Sequence, residues 1–430
     1  MYTLGINAVY HDSAACLVHD GQVIAAAEDE RFTHIKHGKR PLPFSTWELP
    51  FHAIDYCLAE AGIALRDVDH IAYSFDPRLL DGYSDAATIA LPLQPSARRA
   101  ANGHRSPWDP LFMSYVVNAP RQLVSGAPLH LQKRFAGVDH DWVQPRWRFV
   151  EHHLAHEASA FLAAPFDETA VLTMDGRGER ATTSFGHYAE GKYHRLRQID
   201  LPHSLGLVYE EVTRYLGFLH SSDEYKVMAL ASFGEPRYVE QFRDIIRRRP
   251  HGAYEVLPPQ LVERFGQPRQ RGGPLEALHY DIARSLQAVL EETVLDMARW
   301  LQSETGSTNL AMAGGVALNC VMNARVRDIG PFENVWVQPA AGDAGTALGA
   351  ALWIDYAERQ AVGQIKPYVM EHAYLGPAYG DEEIESFLKW TRVRYRRLHN
   401  VADEAAALLA QDKVIGWFQG RMEFGPRALG

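Results

Sequence analysis

Three histidines stand within five positions of the segment "EHHLAHEASA", residues 151–160, which we predict to begin a helix. His152 and His156 are four residues apart, so on a helix their imidazoles lie on one face, a turn apart. Two imidazoles at this spacing can share one cation, although such pairs also occur without a metal. The pair alone does not define a site, because a metal needs further ligands that the fold must bring near. His153 faces away from the pair and is predicted to be structural.

Two aspartates are available to complete such a site. Asp175 follows a predicted strand in "MDGRGE", and Asp343 lies in the turn "GDAG" before a predicted helix. Both are at carboxyl ends of strands, where open α/β sheets place their sites. Two imidazoles with one or two carboxylates suit Fe(II), Zn²⁺ or Mn²⁺ and leave positions for a substrate oxygen. The alternative is that His152 caps the helix and His156 packs under a loop.

Three glycine-bearing turns follow predicted strands, in "LGINAVYHD", "MDGRGE" and "AGGVALN". Turns of this kind expose backbone N–H groups that hold phosphate oxygens. Because two of them open the halves of a duplicated pattern, we predict the nucleotide cleft of the acetate-kinase, sugar-kinase, heat-shock-protein and actin superfamily. Asn7 stands where kinases of this group often carry an aspartate, and an amide cannot act as a base. The alternative is that Asn7 is a turn residue whose side chain hydrogen-bonds to the neighbouring backbone.

The elements that must position these residues recur in one order. Strands joined by an Asp20-Gly21 hairpin signal, with helices, are predicted over residues 3–75, and a similar order over 168–350. We expect the second half to restart at the strand "WRFVEH". The stretch 76–145 is predicted to be an insertion of loops and short helices that forms a lid or acceptor region. The fold class is therefore α/β, a duplicated actin-like domain over 1–362, followed by a unit of helices and strands over 363–430.

Composition and charge narrow the classes of partner. The 430 residues are 47% hydrophobic and 22% charged, with a net charge of −10, which indicates a globular protein and argues against a nucleic-acid partner. Three distant cysteines without a CxxC motif fit a reducing cytoplasm and exclude a thiolate zinc site. No secretory signal or bilayer-spanning apolar run is visible, so we predict a soluble cytoplasmic protein with no membrane partner.

Six segments together resemble one family. They are "HDSAACLVHDGQVIAAAEDERFTHIKHG", "HHLAHEASAF", "MDGRGE", "GGVALNCVMN", "GDAGTALGAA" and "GRMEFGPRALG". They look like the tobramycin carbamoyltransferase-like O-carbamoyltransferases of antibiotic biosynthesis and nodulation-factor decoration. The resemblance implies an actin-like transfer domain similar to the tRNA threonylcarbamoyladenosine transferase. It also implies a YrdC-like C-terminal domain that makes carbamoyl adenylate from carbamoyl phosphate and ATP, after which an acceptor hydroxyl takes the carbamoyl group and AMP leaves.

The resemblance also implies roles for residues at matching positions. The metal ligands would be His152, His156, Asp175 and Asp343, with Fe(II) as the expected ion and Mg²⁺ accompanying ATP. His11 and Lys36 would face the carbamoyl group, the first as a base and the second beside the developing oxyanion, and each is otherwise a solvent-facing loop residue. The implied nucleotide contacts are Gly176, Gly178, Glu179, Glu210, Gly314, Gly315 and Asn319. The implied anion site of the C-terminal domain comprises Arg421 and Arg427.

We therefore predict an ATP-dependent O-carbamoyltransferase that acts on a sugar or polyketide hydroxyl of a small natural product. One alternative is another enzyme of this cleft, a kinase or a tRNA-modifying transferase, against which the acidic charge and Asn7 argue. The other is a nucleotide-gated module of the actin and chaperone type, which has no need of a His–His–Asp set. A YrdC-like domain needs more residues than follow 365, and "GRMEFGPRALG" looks like the middle of a motif, so we expect the natural chain to continue beyond Gly430. The family suggests a homodimer.

Overall fold

The computed structural model describes residues 1–38, 49–80, 115–125, 134–361, 363 and 368–426. Its strands are β1 (Tyr2–Asn7), β2 (Ala14–His19), β3 (Gln22–Glu28), β4 (His70–Tyr73), β5 (Trp147–Phe149), β6 (Thr169–Met174), β7 (Ala181–Ala189), β8 (Lys192–Asp200), β9 (Ile246–Arg249), β10 (Ala253–Val256), β11 (Asn309–Ala313) and β12 (Asn334–Val337). Its α-helices are α1 (Glu30–Thr33), α2 (Phe51–Ala61), α3 (Ala119–Ser125), α4 (His140–Val143), α5 (His152–Phe161), α6 (Leu205–Tyr215), α7 (Glu224–Leu230), α8 (Val239–Ile245), α9 (Leu261–Phe265), α10 (Ala277–Thr305), α11 (Cys320–Ile329), α12 (Ala344–Ala361), α13 (Asp381–Thr391) and α14 (Val401–Leu409).

Two five-stranded mixed sheets share one connectivity. The first has the order β3-β2-β1-β4-β5 and the second the order β8-β7-β6-β11-β12. In each sheet the first three strands are antiparallel neighbours and the last two join in parallel. We call the first sheet with its helices lobe I and the second sheet with its helices lobe II. The repeated strand order confirms the predicted duplication and the actin-like α/β fold class.

The strand Trp147–Phe149 belongs to lobe I, so the prediction that the second half restarts there is wrong. It pairs in parallel with β4, with Ile71 opposite Trp147 and Tyr73 opposite Phe149. Parallel neighbours need a long crossover, which the chain between β4 and β5 supplies, and strand order along the sequence does not reveal this pairing. The predicted insertion at 76–145 lies within that crossover. Its residues 81–114 and 126–133 are outside the described part of the chain, so its role stays a prediction.

Each lobe buries its own core. In lobe II the long helix α10 buries Ile282, Leu286, Val289 and Val294 at spacings of three to five residues, which forms one apolar face. In lobe I the strands β1 and β4 and the helix α2 bury a separate apolar cluster. The described helices include none that is both long and apolar enough to cross a bilayer. Each sheet is thus stabilised by an apolar cluster of its own.

The helices α5 and α12 pack against each other between the two sheets. α12 contacts β1 and β2 of lobe I, whereas α5 contacts β6, β7 and β11 of lobe II. A glycine permits the approach, because a Cβ at Gly349 would overlap the carbonyl oxygen of Ala155 and lie 2.8 Å from the backbone nitrogen of Ser159. Gly5 has the same function where α12 crosses β1, against the backbone of Ala347. This close pair of helices connects the ends of both sheets.

The described residues 368–426 carry α13 and α14, and no strand is found among them. The expected strands are therefore not found in the described part of this stretch, and "VIGWF" pairs with no strand there. Trp390 and Val414 are exposed there. Phe424 is buried, by contrast, and packs into the cluster between the lobes. The division of the chain at 362–363 stays a prediction.

Candidate metal centre and active site

The four predicted metal ligands meet between the lobes. His152 and His156 lie on successive turns of α5, Asp175 directly follows β6, and Asp343 directly precedes α12. One ligand atom from each lies within 4.8 Å of the others, and all four residues are buried. His152 Nε2 is 3.5 Å from Asp175 Oδ2 and 3.6 Å from Asp343 Oδ1. His156 Nε2 is 3.9 and 3.6 Å from the same two oxygens.

The polar atoms of this cluster fit a divalent cation. Among the described protein atoms, no hydrogen-bond partner is found for His152 Nε2, for either nitrogen of His156 or for either carboxylate oxygen of Asp343. Each such buried atom costs about 1–3 kcal/mol when it is left unpaired. The separations of 3.5 to 3.9 Å are too long for hydrogen bonds. They suit ligands that each lie about 2.1 Å from one shared ion, and the mixed imidazole and carboxylate set suits iron, zinc or manganese.

Neighbouring backbone groups orient two of the ligands. His152 Nδ1 lies 3.2 Å from the carbonyl oxygen of Ser74, which favours the tautomer with its proton on Nδ1 and a lone pair on Nε2. Asp175 Oδ1 accepts a hydrogen bond of 2.8 Å from the N–H of Gly315, and its other oxygen faces the histidines. Both ligands are thus turned toward the centre by groups outside it.

The electrostatic surroundings of His152 and His153 shift their pKa values in opposite directions. Burial alone would lower the pKa of His152, but Asp343 and Asp175 raise it well above its ordinary value. Burial would raise the pKa of Asp175, and its histidine neighbours hold it well below its ordinary value. Burial and the nearby His156 lower the pKa of His153, whose Nδ1 is 3.3 Å from Ser184 Oγ. The structure places His153 away from the cluster, as its position on the helix predicted.

The loop 8–13 carries His11 to the same cluster. His11 Nε2 is 3.7 Å from Asp343 Oδ2, and its Nδ1 is 2.8 Å from Asp12 Oδ2. Asn7 holds this loop, because its Nδ2 donates to the carbonyls of His11 and Asp12, both at 3.0 Å, and its Oδ1 accepts from the N–H of Val9. The amide of Asn7 therefore has the turn role that the sequence allowed for it.

Lys36 is not brought into contact with the cluster. It is exposed, and its ammonium lies 5.5 Å from the ring centroid of Tyr225. Its predicted place beside the carbamoyl group stays a prediction.

Sequence reasoning missed a bridge between the lobes beside His11. Asp12 Oδ1 is 2.6 Å from His37 Nδ1, and His37 Nε2 is 3.0 Å from Ser222 Oγ. Burial would raise the pKa of Asp12, but its bonds with His11 and His37 hold it well below its ordinary value. The only feature of the sequence that could have indicated this bridge is that "HD" and "IKH" both carry polar residues in predicted turns of one lobe.

Three of the predicted nucleotide glycines surround Asp175. Gly176 follows it directly, Gly315 donates to it, and Gly314 crosses the backbone of Met174, where a φ of 92° and the close approach both require glycine. The carbonyl of Gly178 accepts a hydrogen bond of 3.0 Å from the hydroxyl of Tyr10, which ties the two lobes. Phosphate binding by these glycines stays a prediction.

Glu210 and Asn319 have clear protein partners. Glu210 lies 3.2 Å from Arg177 and 3.0 Å from His220. Although burial would raise its pKa, the hydrogen bond from His220 and the charge of Arg177 lower it to about 2. Asn319 caps α11 through the N–H of Met322 and pairs with Gln287. Nucleotide contacts by either residue stay predictions.

Glu179 holds the histidine helix. Its carboxylate accepts from the N–H of His152 at 3.0 Å and from the N–H of Asp76 at 2.6 Å. Burial raises the pKa of Glu179 to about 7 although these donors oppose the rise. The family resemblance implied a nucleotide contact for this acid, which stays a prediction. The structure gives it a long-range cap on α5, which no local pattern indicated.

Arg421 makes packing contacts where an anion site was predicted. Its guanidinium donates to the carbonyls of Gly376 and Leu375 at 3.0 and 2.7 Å and to the hydroxyl of Tyr56 at 2.9 Å. These bonds attach the C-terminal segment to lobe I and give buried carbonyl oxygens a donor. The described contacts of Arg421 are therefore with protein groups, and its predicted contact with an anion stays a prediction. Arg427 lies outside the described residues.

Comparison with known proteins decides the family. A family model described as the carbamoyltransferase N-terminus matches residues 2–352, and one described as the carbamoyltransferase C-terminus matches residues 406–430. The chain belongs to the carbamoyltransferase family. The family resemblance predicted from the six segments, and with it the enzyme class, is thereby confirmed.

Three curated relatives give the extent of the likeness. An uncharacterized protein of Synechocystis is 40% identical over 459 residues, which cover 100% of this chain and 70% of that protein. Nodulation protein NolNO of Sinorhizobium fredii is 36% identical over 99% of this chain and 58% of its own length. The 3'-hydroxymethylcephem-O-carbamoyltransferase of Streptomyces clavuligerus is 31% identical over 49% of this chain and 38% of its own length. The chain thus spans part of the length of each relative.

Solved structures resemble the carbamoyltransferase chain only distantly. Component A of the (R)-2-hydroxyglutaryl-CoA dehydratase of Acidaminococcus fermentans has a TM-score of 0.43 and 13% identity, covering 84% of this chain and 99% of that one. HypF of T. kodakarensis has a TM-score of 0.42 and 16% identity, covering 86% of this chain and 48% of that one. The repeated strand order carries the fold assignment without them.

Proposed function

We propose that this chain transfers a carbamoyl group to a hydroxyl of a small-molecule natural product, at the cleft between its two lobes. One observation carries the proposal. Within a carbamoyltransferase, two imidazoles and two carboxylates converge within 4.8 Å, and among the described residues no protein partner is found for five of their buried polar atoms. A structural cluster of ionisable groups would pair those atoms with one another or with the backbone.

The donor we propose is carbamoyl adenylate, made from carbamoyl phosphate and ATP with Mg²⁺. The acceptor oxygen attacks the carbamoyl carbon, the bond from that carbon to the phosphate oxygen breaks, and AMP leaves with the electron pair. A divalent metal, for which we propose Fe(II), would supply a Lewis acid that polarises the carbamoyl carbonyl and offsets phosphate charge. The residues that would hold it are His152, His156, Asp175 and Asp343.

His11 is the proposed base for the acceptor hydroxyl. With the Nδ1 proton donated to Asp12, its Nε2 has a lone pair and faces the cluster. Asp12 keeps the imidazole in that orientation, and Asn7 keeps the loop in place. Lys36 is the proposed oxyanion partner, reached when the substrate is bound.

The remaining assignments are proposed from the family. Residues 1–362 would form the transfer domain and 363–430 the linker and the start of an adenylate-forming domain. The nucleotide would lie along Gly176, Gly178, Glu210, Gly314, Gly315 and Asn319. The protein would act in the cytoplasm as a homodimer, with a sugar or polyketide as acceptor.

The test compares two histidine variants of the same helix. His156→Ala removes a predicted ligand, and His153→Ala removes a neighbouring buried imidazole that faces Ser184. Metal content, melting temperature and carbamoyl transfer are measured on one preparation of each. The donors are prepared carbamoyl adenylate and, separately, ATP with carbamoyl phosphate, offered with a panel of hydroxyl acceptors.

We expect about one divalent metal per chain in the wild type and in His153→Ala. We expect loss of both metal and transfer in His156→Ala. Equal metal content and equal transfer in the two variants would contradict the proposal. Transfer from the adenylate but not from carbamoyl phosphate would assign adenylate formation to residues beyond this chain's own transfer site.

A further inference from the structure

The side chain of Arg195 connects the edge strand β8 to both ends of the segment that carries the histidine pair. Its Nε and Nη2 bind the two oxygens of Glu157 at 2.8 and 2.9 Å. Its Nη1 binds both oxygens of Glu151 at 2.8 and 3.0 Å. Glu157 follows His156 directly, and Glu151 precedes His152 directly. One guanidinium therefore binds the residue before His152 and the residue after His156.

The geometry restrains rotation of α5 about its axis. A guanidinium that binds a carboxylate through two parallel N–H donors fixes direction as well as distance. Glu157 is fully buried and Arg195 is 23% exposed, so water competes little for this contact. The N-terminus of α5 is held by Glu179, and its middle lies against Gly349. Both of these contacts are made by backbone atoms of α5, whereas Arg195 contacts the side chain of Glu157.

We propose that Arg195 is a positioning residue for the metal centre, acting through Glu151 and Glu157 to hold His152 and His156 in register with the two aspartates. This inference rests on the proposed metal site. Metal–ligand distances tolerate deviations of about 0.2 Å, so a small rotation of α5 would separate the imidazoles from the carboxylates. Groups that orient ligands in this way typically change metal affinity about 10- to 100-fold when they are replaced.

The decisive variant is Arg195→Lys, which keeps the positive charge and removes the two-pronged contact. Its matched control is Arg243→Lys, because Arg243 in lobe II also bridges two glutamates, binding Glu292 through Nε and Nη2 at 3.0 and 2.7 Å. The dissociation constant for Zn²⁺ is measured by competition with a chelating dye. The visible spectrum of the Co²⁺-loaded protein reports the geometry of the ligands, which a loss of stability alone would not alter.

We expect Arg195→Lys to bind Zn²⁺ about 10- to 100-fold more weakly and to show an altered Co²⁺ spectrum. Arg243→Lys should match the wild type in both. Equal Zn²⁺ affinity and equal spectra in a folded Arg195→Lys would overturn the inference and leave the proposed function intact. A wild type that binds no Zn²⁺ would instead overturn the metal site and the inference together.

A second variant keeps the test valid if Arg195→Lys fails to fold. Glu151→Gln removes the charge of the partner that is 22% exposed and leaves the buried pair with Glu157 in place. We expect a smaller loss of Zn²⁺ affinity with the Co²⁺ spectrum shifted in the same direction. An unchanged affinity and spectrum in Glu151→Gln would then count against the inference.

Discussion

Replacement of Gly349 by alanine tests whether the contact between α5 and α12 positions the four residues of the proposed metal centre. Alanine is favoured over glycine inside a helix by about 1 kcal/mol, so helix propensity alone predicts a more stable protein. The new Cβ would lie 2.8 Å from the nitrogen of Ser159 and closer still to the carbonyl oxygen of Ala155. Ordinary contacts begin near about 3.5 Å, so the helices must separate by at least about 0.7 Å.

That separation decides whether Gly349→Ala stabilises or destabilises the protein. Overpacking of this kind costs about 1–3 kcal/mol, and here the clashing partners are backbone atoms that cannot change rotamer. Ala155 lies between the two predicted ligands on α5, and α12 begins directly after Asp343. A shift of about 0.7 Å exceeds the tolerance of about 0.2 Å in metal–ligand distances. We therefore expect Gly349→Ala to melt at a lower temperature and to bind Zn²⁺ at least about 10-fold more weakly.

The assay pairs differential scanning fluorimetry with Zn²⁺ competition on the same samples. Gly416→Ala is the control, because no atom lies within 4 Å of a Cβ built there. Gly416 lies outside the helices, so the control should leave the Zn²⁺ affinity unchanged and alter stability only through the reduced freedom of the unfolded chain, by about 1 kcal/mol or less. If Gly349→Ala melts at or above the wild-type temperature and keeps its Zn²⁺ affinity, the helices can accept a Cβ at this position without separating. That result would refute the argument that their close contact positions the four residues.

Two further predictions concern side chains beside the cleft. Since the pKa of Glu210 is about 2 against an ordinary 4.5, its ionised form stabilises the fold by about 3 kcal/mol above pH 5, and this contribution is lost as pH falls toward 2. Glu210→Gln should lower the melting temperature at pH 7 and approach the wild type at pH 3; a constant difference would contradict this. Asn7→Asp places a carboxylate against the carbonyls of His11 and Asp12, and each lost buried hydrogen bond costs about 1–3 kcal/mol. Melting temperature and carbamoyl transfer should both fall, and unchanged values would show that the amide does not hold the loop.

The residues that sequence reasoning placed correctly follow rules that act over short distances. His152 and His156 share a face because a helix repeats every 3.6 residues. Asp175 and Asp343 meet them because the carboxyl ends of parallel strands lie at one edge of a sheet. In both cases a local sequence pattern and one general rule of fold geometry were sufficient to predict where the side chains lie. The close set of four ligand atoms is what the two rules together produce.

Contacts that sequence reasoning did not anticipate depend on partners far along the chain. Glu179 was predicted as a nucleotide contact, and in the structure it caps a helix that begins 27 residues earlier. Arg421 was predicted at an anion, and it donates to carbonyls near Gly376 and to Tyr56 in lobe I. A carboxylate or a guanidinium can meet many partners, so residue type alone does not select one. The strand Trp147–Phe149 was misplaced for the same reason, because pairing in a parallel sheet is a choice between distant segments.

The two kinds of residue have different tasks in one site. The ligands supply donor atoms, and their chemistry restricts them to histidine and carboxylates, which is why a motif can reveal them. Glu179, Arg195 and Gly349 supply orientation, and each does so through partners that are distant in the sequence. α5 packs on lobe II and α12 on lobe I, so this orientation exists only when both lobes have folded and docked. Formation of the proposed metal centre is therefore coupled to the arrangement of both lobes, and the residues that set this coupling must be found in the three-dimensional contacts.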